Sequence, residues 1–343
     1  MENHGMAFVC RNTTPADQDR LIEFLARVFS SGPEDDFVNP SLLQWKYWEP
    51  REDYPQPRSF VLERDGRIVA HAGLWPVEVC TGTKNELGIH LIDWAADPGV
   101  SGAGVLLLQR LAETCDFLYA IGGTEITLSI LRTLGFRQVA EALVWARPIR
   151  PWRQILNHQS VDLRLPLRLV RNFWWSRTPS ATVEDGWSAL QLSEGHLNGL
   201  GVFTKERADS FFRYVERCPV ARCLIFNVFE KDHPVGCFGL SAKWEQTRIA
   251  GVWLEDTSPR VWRAIFQLAQ DAALRLTSTS EIVVRATTEA CAAAAAQTGM
   301  RLRARVPVLL HRKAGATGPL PLQFHFLDND DFFLGGRLSG FLT

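Results

Sequence analysis

Asp93-Trp94-Ala95-Ala96-Asp97-Pro98-Gly99-Val100-Ser101-Gly102-Ala103-Gly104 opens the stretch that decides the fold, and Gly135-Phe136 closes it. The residues between supply an apolar helical run, then Phe117-Leu118-Tyr119-Ala120-Ile121, then Gly122-Gly123-Thr124-Glu125 and a second helical run from Ile126 to Leu134. The order is strand, glycine loop, helix, strand, helix. A glycine loop that opens a helix just after a strand presents backbone N–H groups at the positive end of the helix, which suits a phosphate.

Upstream, Phe8-Val9-Cys10 reads as a short strand, and Thr13-Thr14-Pro15-Ala16-Asp17 as a helix start. A threonine caps, Pro15 occupies the first turn where its missing N–H costs nothing, and Asp17 favours the positive helix end. Leu21, Phe24, Leu25 and Phe29 form the apolar stripe of that helix. Ser41–Trp48 reads as a second short helix. Strands are expected over Ser59–Glu63 and Ile68–Leu74 about a turn at Asp65-Gly66, with Trp75–Cys80 continuing or following. Beyond a turn at Gly82 come a strand over Leu87–Ala95 and, after Phe136, a last strand of this half over Val139–Ala146.

Arg147–Gly186 has a different texture, with seven arginines, Pro148, Pro151 and Pro166 breaking it up, and the aromatics Trp152, Phe173, Trp174 and Trp175. It reads as a connector carrying one or two helices. Such a segment suits packing between domains with solvated arginines, or a membrane surface.

Landmarks of the first half then recur. Val69-Ala70-His71-Ala72-Gly73-Leu74 is echoed by Val235-Gly236-Cys237-Phe238-Gly239-Leu240, and Ser41–Trp45 by Ser210–Tyr214. Thr124-Glu125 and Gly135-Phe136 are echoed 164 residues later (124 to 288, 135 to 299) by Thr288-Glu289 and Gly299-Met300. Recurrence in one order and spacing indicates a duplicated domain, the second copy running from about Trp187 to Lys313. Where the first copy has its glycines, the second has Asp256-Thr257-Ser258-Pro259-Arg260-Val261. A cradle for phosphate needs residues without a Cβ, so the ligand site is expected in the first copy alone. Beyond Lys313 lie a linker, an alternating strand-like run from Leu322 to Leu327, and Asp328-Asn329-Asp330-Asp331, which suits a solvated turn better than a cation loop because no further ligand spacing follows.

A formal net charge of −1 lacks the basic footprint of a nucleic-acid binder. No apolar run approaches the roughly 20 residues of a membrane span, and Met1-Glu2-Asn3-His4 does not begin a secretory signal. Seven scattered cysteines, an odd number with neither Cys-x-x-Cys nor zinc spacing, suit a reducing cytoplasm and no metal site.

With Asp97-Pro98, Gly99-x-x-Gly102-x-Gly104, the helix, the strand and the helix ending at Gly135-Phe136, the chain resembles the GNAT (Gcn5-related N-acetyltransferase) superfamily, over roughly residues 6–147 and, by internal homology, 187–313. The resemblance implies a mixed α/β fold of two tandem GNAT-like domains, each a central mixed β-sheet flanked by helices: 1–147 with the acyl-CoA site, a connector at 148–186, a degenerate copy at 187–313 and an extension at 314–343. It implies acetyl-CoA or another acyl-CoA as co-substrate and no metal. The loop Gly99, Val100, Ser101, Gly102, Ala103 and Gly104 would take the pyrophosphate, with Thr124 beside it, and Trp94, Ala95 and Ala96 the pantetheine arm. Two positions depart from the family pattern. Gly99 stands where an arginine or glutamine is usual, and Leu131 where a tyrosine serves as general acid.

Acyl transfer to an amine needs a base for the nucleophile and N–H donors for the developing oxyanion. By the resemblance, His90 on the strand before the loop is the first candidate base, with His71 on the neighbouring strand and Asp93 next. Glu125 suits either a base or the first turn of a capped helix, and Tyr119 is a substitute acid. Trp45, Tyr47 and Trp48 would shape the acceptor side with His71, or pack the core. The function expected is an acyl-CoA-dependent N-acyltransferase acting on a primary amine of a small-molecule or amine-bearing acceptor, with no nucleic acid and no stable membrane insertion, and with a homodimer left open. The alternative is a non-catalytic GNAT-like CoA-binding or interaction protein. A transferase using aminoacyl-tRNA is disfavoured by the near-zero charge.

Overall fold

The computed structural model describes residues 8–80, 85–156, 165–177, 186–191, 205–254, 256–312, 333 and 342–343. The first copy opens with β1 (Phe8–Asn12). Thr14 and Pro15 then start a 3-10 turn that feeds α1 (Gln18–Phe29), and the Thr14 amide donates to the Asp17 carboxylate at 3.0 Å, which satisfies a donor at the helix start. Asn39 caps α2 (Pro40–Leu43), which widens into a π-helical turn over Gln44–Trp48. The sequence pattern does not reveal this widening. The Glu49 amide bonds the Gln44 carbonyl five residues back, at 2.9 Å.

Next come β2 (Ser59–Arg64) and β3 (Arg67–Cys80), joined at Asp65-Gly66 with positive φ at both residues, as a tight hairpin requires. They are followed by β4 (Asn85–Ala96), α3 (Ala103–Ala112), β5 (Phe117–Ile121), α4 (Glu125–Thr133) and β6 (Arg137–Pro148). The connector carries α5 (Pro151–Leu156) and α6 (Leu165–Arg177). The second copy runs β7 (Trp187–Gln191), α7 (Lys205–Glu216), β8 (Arg222–Glu230), β9 (His233–Lys243), β10 (Gln246–Leu254), α8 (Pro259–Leu276), β11 (Glu281–Ala286), α9 (Glu289–Gln297) and β12 (Arg301–Arg312). The turn expected at Gly82, the strand at Leu322–Leu327 and the acidic run Asp328–Asp331 lie outside the described residues.

The duplication extends to hydrogen-bond detail. Thr124 caps α4 by accepting from the Thr127 amide at 3.2 Å, and Thr288 caps α9 by accepting from the Cys291 amide at 3.3 Å. Gly135 and Gly299 both close their helices at positive φ. The strands that follow, β6 and β12, begin and end 164 residues apart (137 to 301, 148 to 312).

The chain forms two compact units, Met1–Val139 with Val308–Leu320 and Ala140–Pro307 with Pro321–Thr343. The first unit has strand order β1-β2-β3-β4-β5 and then the end of β12; only β4–β5 is parallel. The second has β7-β8-β9-β10-β11-β6, and only β10–β11 is parallel. The last strand of each copy thus completes the sheet built by the other. The registers match: Phe117 pairs Arg312 as Glu281 pairs Pro148, each residue of the second copy 164 beyond its counterpart. Through Leu143–Pro148, β6 pairs with β11 in the second unit, and through Val308–Arg312, β12 pairs with β5 in the first. The two strands offer the same alternation to the same slot, so either could fill it, and the sequence pattern does not distinguish them.

The first core gathers Leu62, Leu74, Ile89, Leu107, Leu118 and Leu131 between the sheet and α3 and α4, and Leu309 of the exchanged strand joins it. The second is built around Phe226, Phe238, Trp262, Phe266 and Ile282.

Candidate functional site

The site begins where β4 and β5 part. They pair only at Gly88↔Phe117, Ile89↔Leu118 and His90↔Tyr119. Beyond His90, β4 continues to Ala96 along β3, while β5 ends at Ile121 along β12. The strands open at their C-terminal ends, beyond the last pair His90↔Tyr119. A bulge drives the divergence. His71 pairs Ala95 and Gly73 pairs Ile92, so Asp93 and Trp94 together oppose Ala72 alone, and Asp93 sits at φ +48. An extra residue of this kind bends and twists its strand away from its neighbour.

The loop follows directly. Asp97 accepts from the Gly99 amide on its side chain and the Val100 amide on its carbonyl, both at 2.9 Å, which folds Asp97–Val100 into a turn. Gly102 caps α3 at φ +79, a conformation that suits glycine, and the space where its Cβ would stand is empty to 4 Å. The first helical bond is Leu106 N–H to Gly102 C=O at 2.9 Å, so the first-turn amides of α3 lie ahead of the i−4 ladder. Gly104 is glycine for another reason. A Cβ there would stand 3.1 Å from the Ala96 Cβ and 3.3 Å from Trp94 Nε1, and Trp94 donates from that nitrogen to the Gly104 carbonyl at 3.1 Å. It sets the close packing of helix on strand. Val100 and Ala103 are buried beneath the loop, and Ser101 is exposed.

On the opposite face of the sheet from α3, a buried polar chain holds the bulge. Asp93 accepts on Oδ2 from both Lys46 Nζ and Tyr47 Oη, and Lys46 and Asp93 have no side-chain exposure. Burial by itself would raise the Asp93 pKa. The Lys46 charge and the bonds from Lys46 and Tyr47 outweigh it and hold the carboxyl below its ordinary value. In an ordinary α-helix consecutive side chains diverge by about 100°; the wider π-turn lets neighbours 46 and 47 reach one carboxylate. Gly73 makes room, since a Cβ there would meet Tyr47 Cε1 at 2.7 Å.

His71 Nδ1 stands 3.0 Å from the Asp93 carbonyl, which can only accept, so Nδ1 carries the proton. Nε2 then accepts from Ser59 Oγ at 3.0 Å, Ser59 accepts from Thr13 at 2.7 Å, and Thr13 accepts from Trp48 Nε1 at 3.0 Å. Burial is the main cause that lowers the His71 pKa to about 4, so the ring is neutral near pH 7.

His90 is buried near the apex of the gap. Its Nε2 accepts from the Ile121 amide at 3.4 Å, and its ring centroid lies 5.0 Å from that of Tyr119. Glu125 is exposed in the first turn of α4, at the same C-terminal end of the parallel strands as the loop. Thr124, also exposed, has its hydroxyl engaged in the cap. Trp45 is buried against Trp75, with ring centroids 5.9 Å apart, while Trp48 is only partly buried. Leu131 is buried in the first core, so α4 turns it inward. Ala95 is buried and Ala96 half-buried along β3. Sequence reasoning missed Lys46, Ser59 and Thr13. Lysine beside aromatics in a short helix was the one available signal, because a lysine there needs a buried partner.

The second copy keeps part of this plan. The Ser258 amide donates to Asp256 Oδ1 at 2.8 Å, as Gly99 does to Asp97, but Pro259 then starts α8. Proline has no N–H to offer an anion. Among the described residues no group of three or more His, Cys, Asp or Glu is placed to hold a metal, and no helix is long and apolar enough to cross a membrane.

No protein-family model matches the sequence, and no curated protein matches it. Solved structures do. A tandem GNAT protein from the clavulanic acid biosynthesis pathway aligns over 91% of this chain and 100% of its own, with TM-score 0.54 and 11% identity. A putative acetyltransferase from Pyrococcus horikoshii aligns over 98% and 99%, with TM-score 0.52 and 10% identity. A GCN5-related N-acetyltransferase from Anabaena variabilis aligns over 89% of this chain and 72% of its own, with TM-score 0.53 and 11% identity. The chain therefore has the GNAT fold, in tandem.

Proposed function

We propose that the first unit binds an acyl-CoA in the gap between β4 and β5 and transfers the acyl group to a primary amine. The observation that carries this reading is the juxtaposition at one sheet end of a strand gap, a bulge and the open cradle at Gly102. In open sheets, ligands bind outside the carboxyl ends of the parallel strands.

With the Gly99 and Val100 amides turned to Asp97, the loop Gly99–Gly104 fits a pyrophosphate through its later amides, from Ser101 into the first turn of α3: a Cβ at Gly102 would meet nothing within 4 Å, and the helix end is positive. The main-chain groups of Trp94–Ala96 fit the amides of a pantetheine arm laid along β4 as an added strand. An acyl-CoA supplies the activated thioester carbon. N–H groups of β4 in the gap are donors for the developing oxyanion. His90 takes the amine proton on Nε2 as its long 3.4 Å contact from the Ile121 amide is given up; the amine nitrogen bonds the thioester carbon, the C–S bond breaks, and CoA leaves as the thiolate, which takes up the proton from the imidazolium. Asp93 is assigned to holding the bulge with Lys46, Tyr47 and neutral His71. Glu125 and Thr124 border the entrance, and the half-buried Trp48 the acceptor side, with Tyr47 buried behind it.

Thiol release from acetyl-CoA over a panel of primary amines tests the chemistry. Release is expected with wild type, and His90→Gln is expected to lose on the order of 10²–10⁴ in kcat with an unchanged far-ultraviolet spectrum. A His90→Gln variant as fast as wild type would remove His90 from the mechanism. The burial of Leu131 favours a second reading, a CoA-binding protein without turnover; binding of acetyl-CoA with no thiol release across the panel would select it.

A further inference from the structure

The site proposed above leaves α6 unused. Its sequence, Leu165 to Arg177, contains Arg168, Arg171 and Arg177 and no acidic residue. Leu167, Val170 and Trp174 are 75%, 71% and 79% exposed. Steps of three and four residues return to one side of a helix, so these three form a single outward stripe. The opposite side is fixed to the second unit. Asn172 is buried and donates to Gln154 at 2.8 Å, and Trp175 donates to the Gly299 carbonyl at 2.8 Å. The stripe therefore faces away from the packing side of an anchored helix.

The surroundings are basic. Arg301 of β12 lies over the Trp175 ring at 4.7 Å, and Arg301 and Arg303 point outward by strand alternation, while Arg305, further along, is paired with Glu141 at 3.0 Å. The Arg171 pKa is lowered, first by desolvation and then by repulsion from Arg303, Arg168 and Arg301. Like charges are thus gathered beside an apolar ridge in a chain whose formal net charge is −1.

We propose that the α6 face is a docking surface for an anionic lipid bilayer, which Leu167, Val170 and Trp174 enter at headgroup depth while Arg168, Arg171, Arg301 and Arg303 contact lipid phosphates. A large tryptophan with aliphatic neighbours, flanked by arginine, has the composition of an interfacial helix. A second copy docking by the same face would oppose arginine with arginine, which disfavours self-association there.

The test is co-sedimentation of the full chain with vesicles of phosphatidylcholine alone or mixed with phosphatidylglycerol, at low and high salt. Binding is expected only with the anionic lipid, falling as salt rises. Trp174→Glu should abolish measurable binding. Arg168→Gln and Arg171→Gln should each lower the partition coefficient roughly fivefold. Because the stripe is exposed, Trp174→Glu should leave the melting temperature unchanged; a loss of several degrees would show the stripe packed within the protein and overturn the proposal. Equal binding to neutral vesicles, no binding to either, or binding to polyglutamate without binding to vesicles would each overturn it as well. Acetyl-CoA titration of Trp174→Glu should match wild type, which separates this surface from the acyl-CoA reading.

Discussion

Lys46→Ala probes the bulge that opens the gap. In the folded protein Lys46 and Asp93 are wholly enclosed, so solvent screening takes little from the pair. Removing the ammonium leaves a buried carboxylate with Tyr47 as its remaining partner on Oδ2. Breaking one side of a buried pair costs about 3–5 kcal/mol. The cost should depend on pH in a defined direction. In wild type the carboxyl lies below its ordinary value, so its stabilisation is present near neutrality and is lost only as pH falls through that lowered value. In Lys46→Ala the burial effect is left dominant and raises the carboxyl, so the carboxylate penalises folding above the unfolded value of about 3.9 and protonation relieves it. The deficit against wild type should be full at pH 7 and less than half by about pH 4.5. Hydrogen exchange of peptides from β3 and β4, corrected for intrinsic rates, reads the opening free energy of this unit. Adding Asp93→Asn to Lys46→Ala should recover most of the loss at pH 7. A deficit under about 1 kcal/mol at pH 7, or one that does not change with pH, would show that the Lys46–Asp93 pair does not hold the bulge.

His71 has a lowered pKa of about 4, so the unfolded chain binds its proton first. Wild-type stability should fall by about 3 kcal/mol as pH drops from 6.5 to 4, and urea melts of His71→Gln should lack that component. Leu309→Ala, in the strand lent by the second copy, should destabilise the first unit by about 2–5 kcal/mol; exchange data showing loss only around β10 and β11 would contradict the strand assignment. Gly104→Val should lower the melting temperature, because its side chain meets Ala96 and Trp94. Gly102→Val should cost only the left-handed strain of about 1–2 kcal/mol; equal thermal damage from the two would contradict their separate roles.

Much of the fold was legible because its signals are local. Thr14 and Pro15 announce α1, Asp65-Gly66 the hairpin, and Thr124 and Gly135 bracket α4. The 164-residue recurrence told of duplication and of a loop that only one copy retained. The strand exchange was not legible, because β6 and β12 are interchangeable in pattern and their destinations depend on long-range pairing. The buried chain behind the gap was hidden for a similar reason. Lys46 and Asp93 are 47 residues apart, and Ser59 and Thr13 look like ordinary strand and cap residues until His71 stands between Ser59 and the Asp93 carbonyl. The bulge itself leaves no mark, since Asp93-Trp94-Ala95-Ala96 fits a regular strand as well as an irregular one. Of the three loop glycines, composition could not say that Gly102 serves an open cradle and Gly104 a helix contact.

Whether the loop and strand gap of the first unit hold an acyl-CoA is read by calorimetric titration of acetyl-CoA into wild type and Gly102→Val. One site per chain is expected, with affinity reduced at least tenfold by the valine that fills the cradle while folding is retained. No heat of binding at millimolar acetyl-CoA, or the same affinity in both proteins, would contradict it.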